Sequence, residues 1–146
     1  MAAGFTIETK NIQLFTTRIN SYAQNILTEK LLTPVINIEC ELTPQDITSQ
    51  ALKIVKIFEP YGVGNPQPLF LTKNMQVEDV RNVGMDNKHL KLELDGISAI
   101  GFNMGQKLAE IRPGYLIDVV YTLSEDSFNG PNQVQLKIKD LAINSS

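Results

Sequence analysis

The chain has 146 residues, 42% hydrophobic and 20% charged, with 13 Lys and Arg against 16 Asp and Glu and a net charge of −3. That is the composition of a folded globular chain and excludes collagen-like, mucin-like and disordered classes, and no apolar run approaches the ~20 residues of a membrane helix. One histidine, one cysteine and no tryptophan leave little for a catalytic centre: His89 and Cys40 have no partners at metal-ligand or triad spacing, and no phosphate-cradling glycine motif occurs.

Taken in chain order, Ile12, Phe15, Ile19, Tyr22 and Ile26 recur at three- and four-residue spacing and predict an amphipathic helix whose stripe packs into a core. Val35 to Leu42 predicts a strand, with Cys40 in phase with Ile38 and Leu42 and therefore buried. Thr43-Pro44-Gln45-Asp46 reads as a helix start, with Thr43 as N-cap and Pro44 in the first turn. The stripe Ile47, Ala51, Ile54, Val55 and Phe58 continues that helix until Pro60 ends it at Glu59.

Next comes Pro60-Tyr61-Gly62-Val63-Gly64-Asn65-Pro66-Gln67-Pro68. Its prolines fix some dihedral angles and its glycines free others, which predicts a shaped loop and a boundary between two halves. Pro60, Tyr61, Gly62, Gly64, Asn65 and Pro66 are assigned a structural role in it.

Beyond the loop the period becomes alternating. A long strand is predicted over Phe70 to Val83 and a turn over Gly84 to Asn87. Lys88 to Leu94 follows, with Leu90, Leu92 and Leu94 on one face and His89, Lys91 and Glu93 on the other. Asp95-Gly96 predicts a hairpin into Ile97 to Asn103. A short helix spans Gly105 to Ile111, and strands run over Tyr115 to Leu123 and Gln133 to Ile143 on either side of a polar loop. The order β-β-β-α-β-β is that of a five-stranded OB-fold Greek-key barrel. The expected fold class is α+β, mainly β: an OB barrel preceded by a small segment of two helices and one strand.

Such barrels most often bind ligands on the face of their second and third strands. Candidate nucleic-acid contacts on and around that face are Lys73, Arg81, Lys88, His89, Lys91, Asn103, Phe128, Asn129, Lys137 and Lys139, with Lys73 expected near Lys88, His89 and Lys91. Phe128 is the candidate base-stacking ring; Phe102 and Tyr121 read as core. Acidic side chains outnumber basic ones from Phe70 to Ile143, so the barrel has no overall basic field and isolated binding is expected to be weak.

Phe58-Glu59-Pro60-Tyr61-Gly62-Val63-Gly64-Asn65-Pro66-Gln67-Pro68-Leu69-Phe70 resembles the L-x-P-[FY]-G-x-G-N-P-x-P-x-F signature of the RecJ family of single-strand-specific DNA exonucleases. Lys88-His89-Leu90-Lys91-Leu92, Ile100-Gly101-Phe102-Asn103, Asn129-Gly130, Val134 to Asp140 and Met1 to Phe5 are similar to further elements of that family. The resemblance implies a piece of a longer protein. Residues 1–59 would be the remnant of a DHHA1-type domain with its connecting helix, 60–68 the linker and 69–146 the OB domain. The family's Asp and Asp-His-His motifs precede this stretch, so the manganese or magnesium they bind is expected in catalytic domains outside it. No metal, cofactor or catalytic residue is expected within the chain, which alone should be inactive.

The resemblance further implies single-stranded DNA as partner, a single-strand-binding protein as a second, and a role in DNA repair and recombination. The competing reading is a module that docks partner proteins or the catalytic domains without touching DNA. The start of the chain lacks the basic and apolar regions of a secretory leader, and a lone cysteine forms no internal disulfide, so a cytoplasmic location without membrane attachment is expected.

Overall fold

The computed structural model describes residues 4–126 and 133–144, which divide into two compact units, one ending at Ile36 and the other beginning at Asn37. In the first, a 3-10 turn at Thr9–Asn11 leads into α1 (Ile12–Ile26), followed by α2 (Glu29–Leu32). The Phe5 and Phe15 rings meet edge to face at 4.8 Å. The expected stripe forms along α1, but no described residue of the helix is buried, and Ile12, Ile19, Tyr22 and Ile26 stand exposed. One helix and a four-residue second one offer no facing layer.

The second unit is a barrel. Its strands are β1 (Cys40–Glu41), β2 (Phe70–Val83), β3 (His89–Leu94), β4 (Ile97–Gly101), β5 (Leu116–Glu125) and β6 (Val134–Ile143), with α3 (Ser49–Lys56) between β1 and β2. The sheet runs β1-β2-β3-β4-β6-β5, and an added β2–β5 pairing closes it. Strand β2 serves both ends of the barrel: its first half pairs with β5 and its second half with β3, with bulges at Thr72/Met75 and Val77/Asp79 where it changes partner. Such bulges sharpen the local twist that a small barrel requires.

Alternation decides which side chains enter. Leu90, Leu92 and Leu94 are at most 1% exposed and join Met75, Val77, Ile117, Val119, Tyr121 and Leu136 in one core. Each such side chain contributes about 1.5–3 kcal/mol by leaving water. Within this core the Tyr121 hydroxyl lies 2.8 Å from Thr72 Oγ1, which donates to the Leu42 carbonyl at 2.9 Å; a phenol buried in a barrel needs such a partner. The Asp95-Gly96 turn takes positive φ at both residues, 47° and 72°, the primed geometry that suits right-twisted strands.

Several expectations are revised. The strand expected over Val35 to Leu42 shortens to β1, a parallel edge strand on β2, and Cys40 on it is exposed, because an edge strand this short is covered on neither face. The helix expected from Pro44 to Glu59 splits. A 3-10 turn at Pro44–Asp46 carries the Thr43/Asp46 capping box, and α3 restarts after its own cap, Thr48, whose side chain accepts from the Ala51 N–H at 3.1 Å. Ile47, Leu52 and Val55 are buried in the barrel core. The compact unit that begins at Asn37 includes 37–59; periodicity shows that a helix has an apolar face, not which body that face meets.

The 60–68 loop is held by its own polar groups. Asn65 Nδ2 donates to the carbonyls of Phe58 and Pro60 at 2.8 and 3.0 Å. Gly62 and Asn65 bond reciprocally through their backbones, and the Tyr61 hydroxyl donates to the Val55 carbonyl at 2.5 Å. Gly64 has φ 87°, a conformation for which glycine pays no steric penalty. Among the described residues no helix is long and apolar enough to cross a membrane.

Candidate nucleic-acid interface

The outer face of β2, β3, β4 and β6 is ordered in rows by strand register. Arg81 pairs with Lys91 across β2–β3, Lys91 with Ile100 across β3–β4, and Ile100 with Lys137 across the parallel β4–β6 pairing. Three cations thus lie in one line across four strands, interrupted by a single aliphatic residue. One step along, Asp79 pairs with Glu93, Glu93 with Ser98 and Ser98 with Gln135, a row that starts acidic. One step the other way, Val83 pairs with His89.

The three cations differ in their surroundings. Arg81 is exposed and its guanidinium meets the Asp79 carboxylate. Lys91 is held: its ammonium meets Ser98 Oγ and stands 3.8 Å from the Asp126 carboxylate, with side chains 16% and 1% exposed. Gln135 completes this network by donating to both Ser98 Oγ and Asp126 Oδ2 at 3.2 Å. Lys137 is exposed, and no carboxylate among the described residues lies within ion-pair distance of it.

His89 is packed from three sides. Its Nδ1 accepts the Asn103 backbone N–H at 3.1 Å, so the neutral ring carries its proton on Nε2. The Phe102 ring meets it edge-on at 5.1 Å and 73°. Gly84, at φ 81°, lies so near that a Cβ there would sit 2.7 Å from His89 Cδ2.

Other expected contacts fall elsewhere. Lys73 is not beside Lys88, His89 and Lys91; it lies on the half of β2 near β5 and pairs with Glu41 at 2.8 Å. Sequence order cannot reveal that β2 changes partner part-way. Lys88 precedes β3 and pairs with Asp86 at 3.0 Å. Lys139 is exposed on β6, beyond the last residue paired with β4 and opposite the β5 register shift at Val120/Tyr121. Asn103, at φ 59°, contributes its backbone to His89. Phe128 and Asn129 lie outside the described residues. Tyr121 is in the core as expected, whereas Phe102 is 50% exposed: it follows Gly101, which faces inward opposite Leu90, and so turns outward. Among the described residues no three His, Cys, Asp or Glu side chains gather at metal-ligand distance.

A family model described as RecJ OB domain matches residues 38–140. The chain belongs to this family. The matched span begins beside the start of the barrel unit at Asn37 and includes α3 and the 60–68 loop. Over 98% of its length the chain is 33% identical to the single-stranded-DNA-specific exonuclease RecJ of Bacillus subtilis, covering 19% of that protein. It is 29% identical over 96% of its length to the RecJ of Thermus thermophilus, covering 20% of it. A crystal structure of the Thermus thermophilus RecJ in complex with Mn2+ superposes with a TM-score of 0.76 at 28% identity, over 98% of this chain and 21% of that one. The chain spans about a fifth of the length of these RecJ relatives.

Proposed function

We propose that this chain is the strand-holding part of a single-stranded-DNA-specific 5′ to 3′ exonuclease and that it binds single-stranded DNA on the outer face of β2, β3, β4 and β6. The observation that carries the reading is the row Arg81–Lys91–Ile100–Lys137. A strand laid across the barrel meets the exposed Arg81 and Lys137 at the two ends of the row, with Lys91 held between them by Ser98 and Asp126, and neutralising phosphates supplies most non-specific affinity. A net charge of −3 confines attraction to this row, so affinity in isolation is weak and local. Hydrolysis, with its manganese or magnesium, belongs to the parts of the longer relatives that this chain does not span; the chain alone holds the strand without cutting it. The setting is repair and recombination in the cytoplasm.

The test is binding of labelled oligo-dT at about 50 mM salt and above. Arg81→Ala and Lys137→Ala each weaken binding and lower the salt slope by about 0.7 per lost phosphate contact, while Lys73→Ala, off the row, leaves both unchanged. Equal binding by all three variants, or none by the parent chain, overturns the reading and favours a docking module for proteins such as a single-strand-binding protein.

A further inference from the structure

The binding face is graded from one side to the other. Asp79 and Glu93 form one flank, Arg81, Lys91 and Lys137 the middle, and Val83 with His89 the other flank. Rows two residues apart along a strand are separated by about 7 Å. Phosphates seated on the middle row are repelled from the acidic flank, and the bases they carry turn to the opposite side. There they meet Phe102, a ring half exposed to solvent yet fixed in place by its edge contact with His89.

His89 is itself fixed by the Asn103 N–H and by the close approach that Gly84 permits. The edge contact with this fixed imidazole favours the observed Phe102 rotamer before any ligand arrives, so less ordering is needed on binding. Its neighbour Nε2–H offers a donor beside the stack.

We infer that Phe102, braced by His89, is a stacking platform for an unpaired nucleobase of the strand whose phosphates follow Arg81, Lys91 and Lys137. The inference rests on the nucleic-acid reading of this face and adds to it a residue, an orientation and a physical reason for the preference for single strands. Bases within a duplex are already stacked on one another and cannot lie on the ring, so the platform selects single strands, and it tolerates any base because each has a π-face.

The chain has no tryptophan, so Phe102→Trp installs a single reporter at the proposed contact. On adding oligo-dT this variant binds at least as tightly as the parent, and its indole fluorescence is quenched by stacking. Phe102→Leu, which keeps an apolar side chain against His89, binds about ten-fold more weakly with an unchanged urea midpoint. An oligonucleotide carrying one 2-aminopurine is quenched by the parent chain and not by Phe102→Leu. If Lys137→Ala weakens binding while Phe102→Leu does not and the Phe102→Trp indole stays bright, the platform is refuted and the cation row survives. If neither substitution matters, the nucleic-acid reading itself is lost. A Phe102→Leu chain that fails to fold leaves the indole and its quenching as the deciding measurement.

Discussion

Lys91 and Asp126 face each other across 3.8 Å with almost no access to water, the carboxyl side chain 1% and the lysine side chain 16% exposed. Lys91→Met removes the cation beside a buried carboxylate that keeps its bond from Gln135, and it is expected to destabilise the barrel by about 1–3 kcal/mol, measured by urea unfolding, whereas Lys137→Ala stays within about 0.5 kcal/mol of the parent. A wild-type urea midpoint for Lys91→Met would show that the network does not support the face. On the proposed reading, loss of affinity in Lys137→Ala reports a lost phosphate contact, whereas loss in Lys91→Met also reports the integrity of the sheet.

Gly105 lies where the connection after β4 crosses the turn before β3. Its N–H donates to the Lys88 carbonyl at 2.9 Å, and a Cβ there would sit 2.2 Å from the Asn87 carbonyl oxygen. The obstructing atom is backbone and has no rotamer to escape into, so Gly105→Ala is expected to cost about 2 kcal/mol or more. Gly96→Ala, with open space around it but φ 72°, is expected to cost about 1 kcal/mol. Thermal unfolding of the two variants side by side checks the order.

Asn65 serves the 60–68 loop as a donor to two carbonyl oxygens. Asn65→Asp keeps the shape but replaces the donor with a carboxylate facing those oxygens, and it should destabilise more than Asn65→Ala, by about 1–3 kcal/mol in all. Neither substitution touches the cation row, so oligo-dT affinity of the folded fraction should hold. A loss of affinity without loss of stability would instead make the loop part of the binding surface.

Burial pushes the Tyr121 phenol up to about 12, against a smaller opposing effect of its hydrogen bond with Thr72. The folded state thus keeps a proton that the unfolded chain gives up near pH 10. The stabilisation is complete below pH 10 and is lost as the pH rises from about 10 to about 12. Burial and the Glu59 charge also raise the Tyr61 phenol, so spectrophotometric titration should show a late-ionising component that is reduced, not abolished, in Tyr121→Phe, and the alkaline fall in stability should be shallower in that variant. Identical titration curves would contradict the burial of this ring.

The barrel was legible in the sequence where neighbours along the chain determine the outcome. Leu90, Leu92 and Leu94 alternate strictly, Asp95-Gly96 admits few geometries other than a tight hairpin, and both readings match the structure. Features set by distant partners were not legible. Arg81, Lys91 and Lys137 share a line only because β4 and β6 pair in parallel, a register that no local pattern encodes. Cys40 is in phase with Ile38 and Leu42 in the sequence, yet the strand it joins is two residues long and both are exposed. Phe102 looked like core because large aromatic residues usually are; the clue that it turns outward is its place directly after Gly101, whose partner Leu90 points in.

Because Lys137 arrives on β6, the last strand described, the line of cations does not exist on a growing chain that has made only β2, β3 and β4. Arg81 and Lys91 emerge early, yet they gain their third member only when β6 docks against β4 and β2 meets β5. On the proposed reading, affinity for a nucleic acid is a product of closure, and a chain that has not yet added β6 offers a strand no completed track.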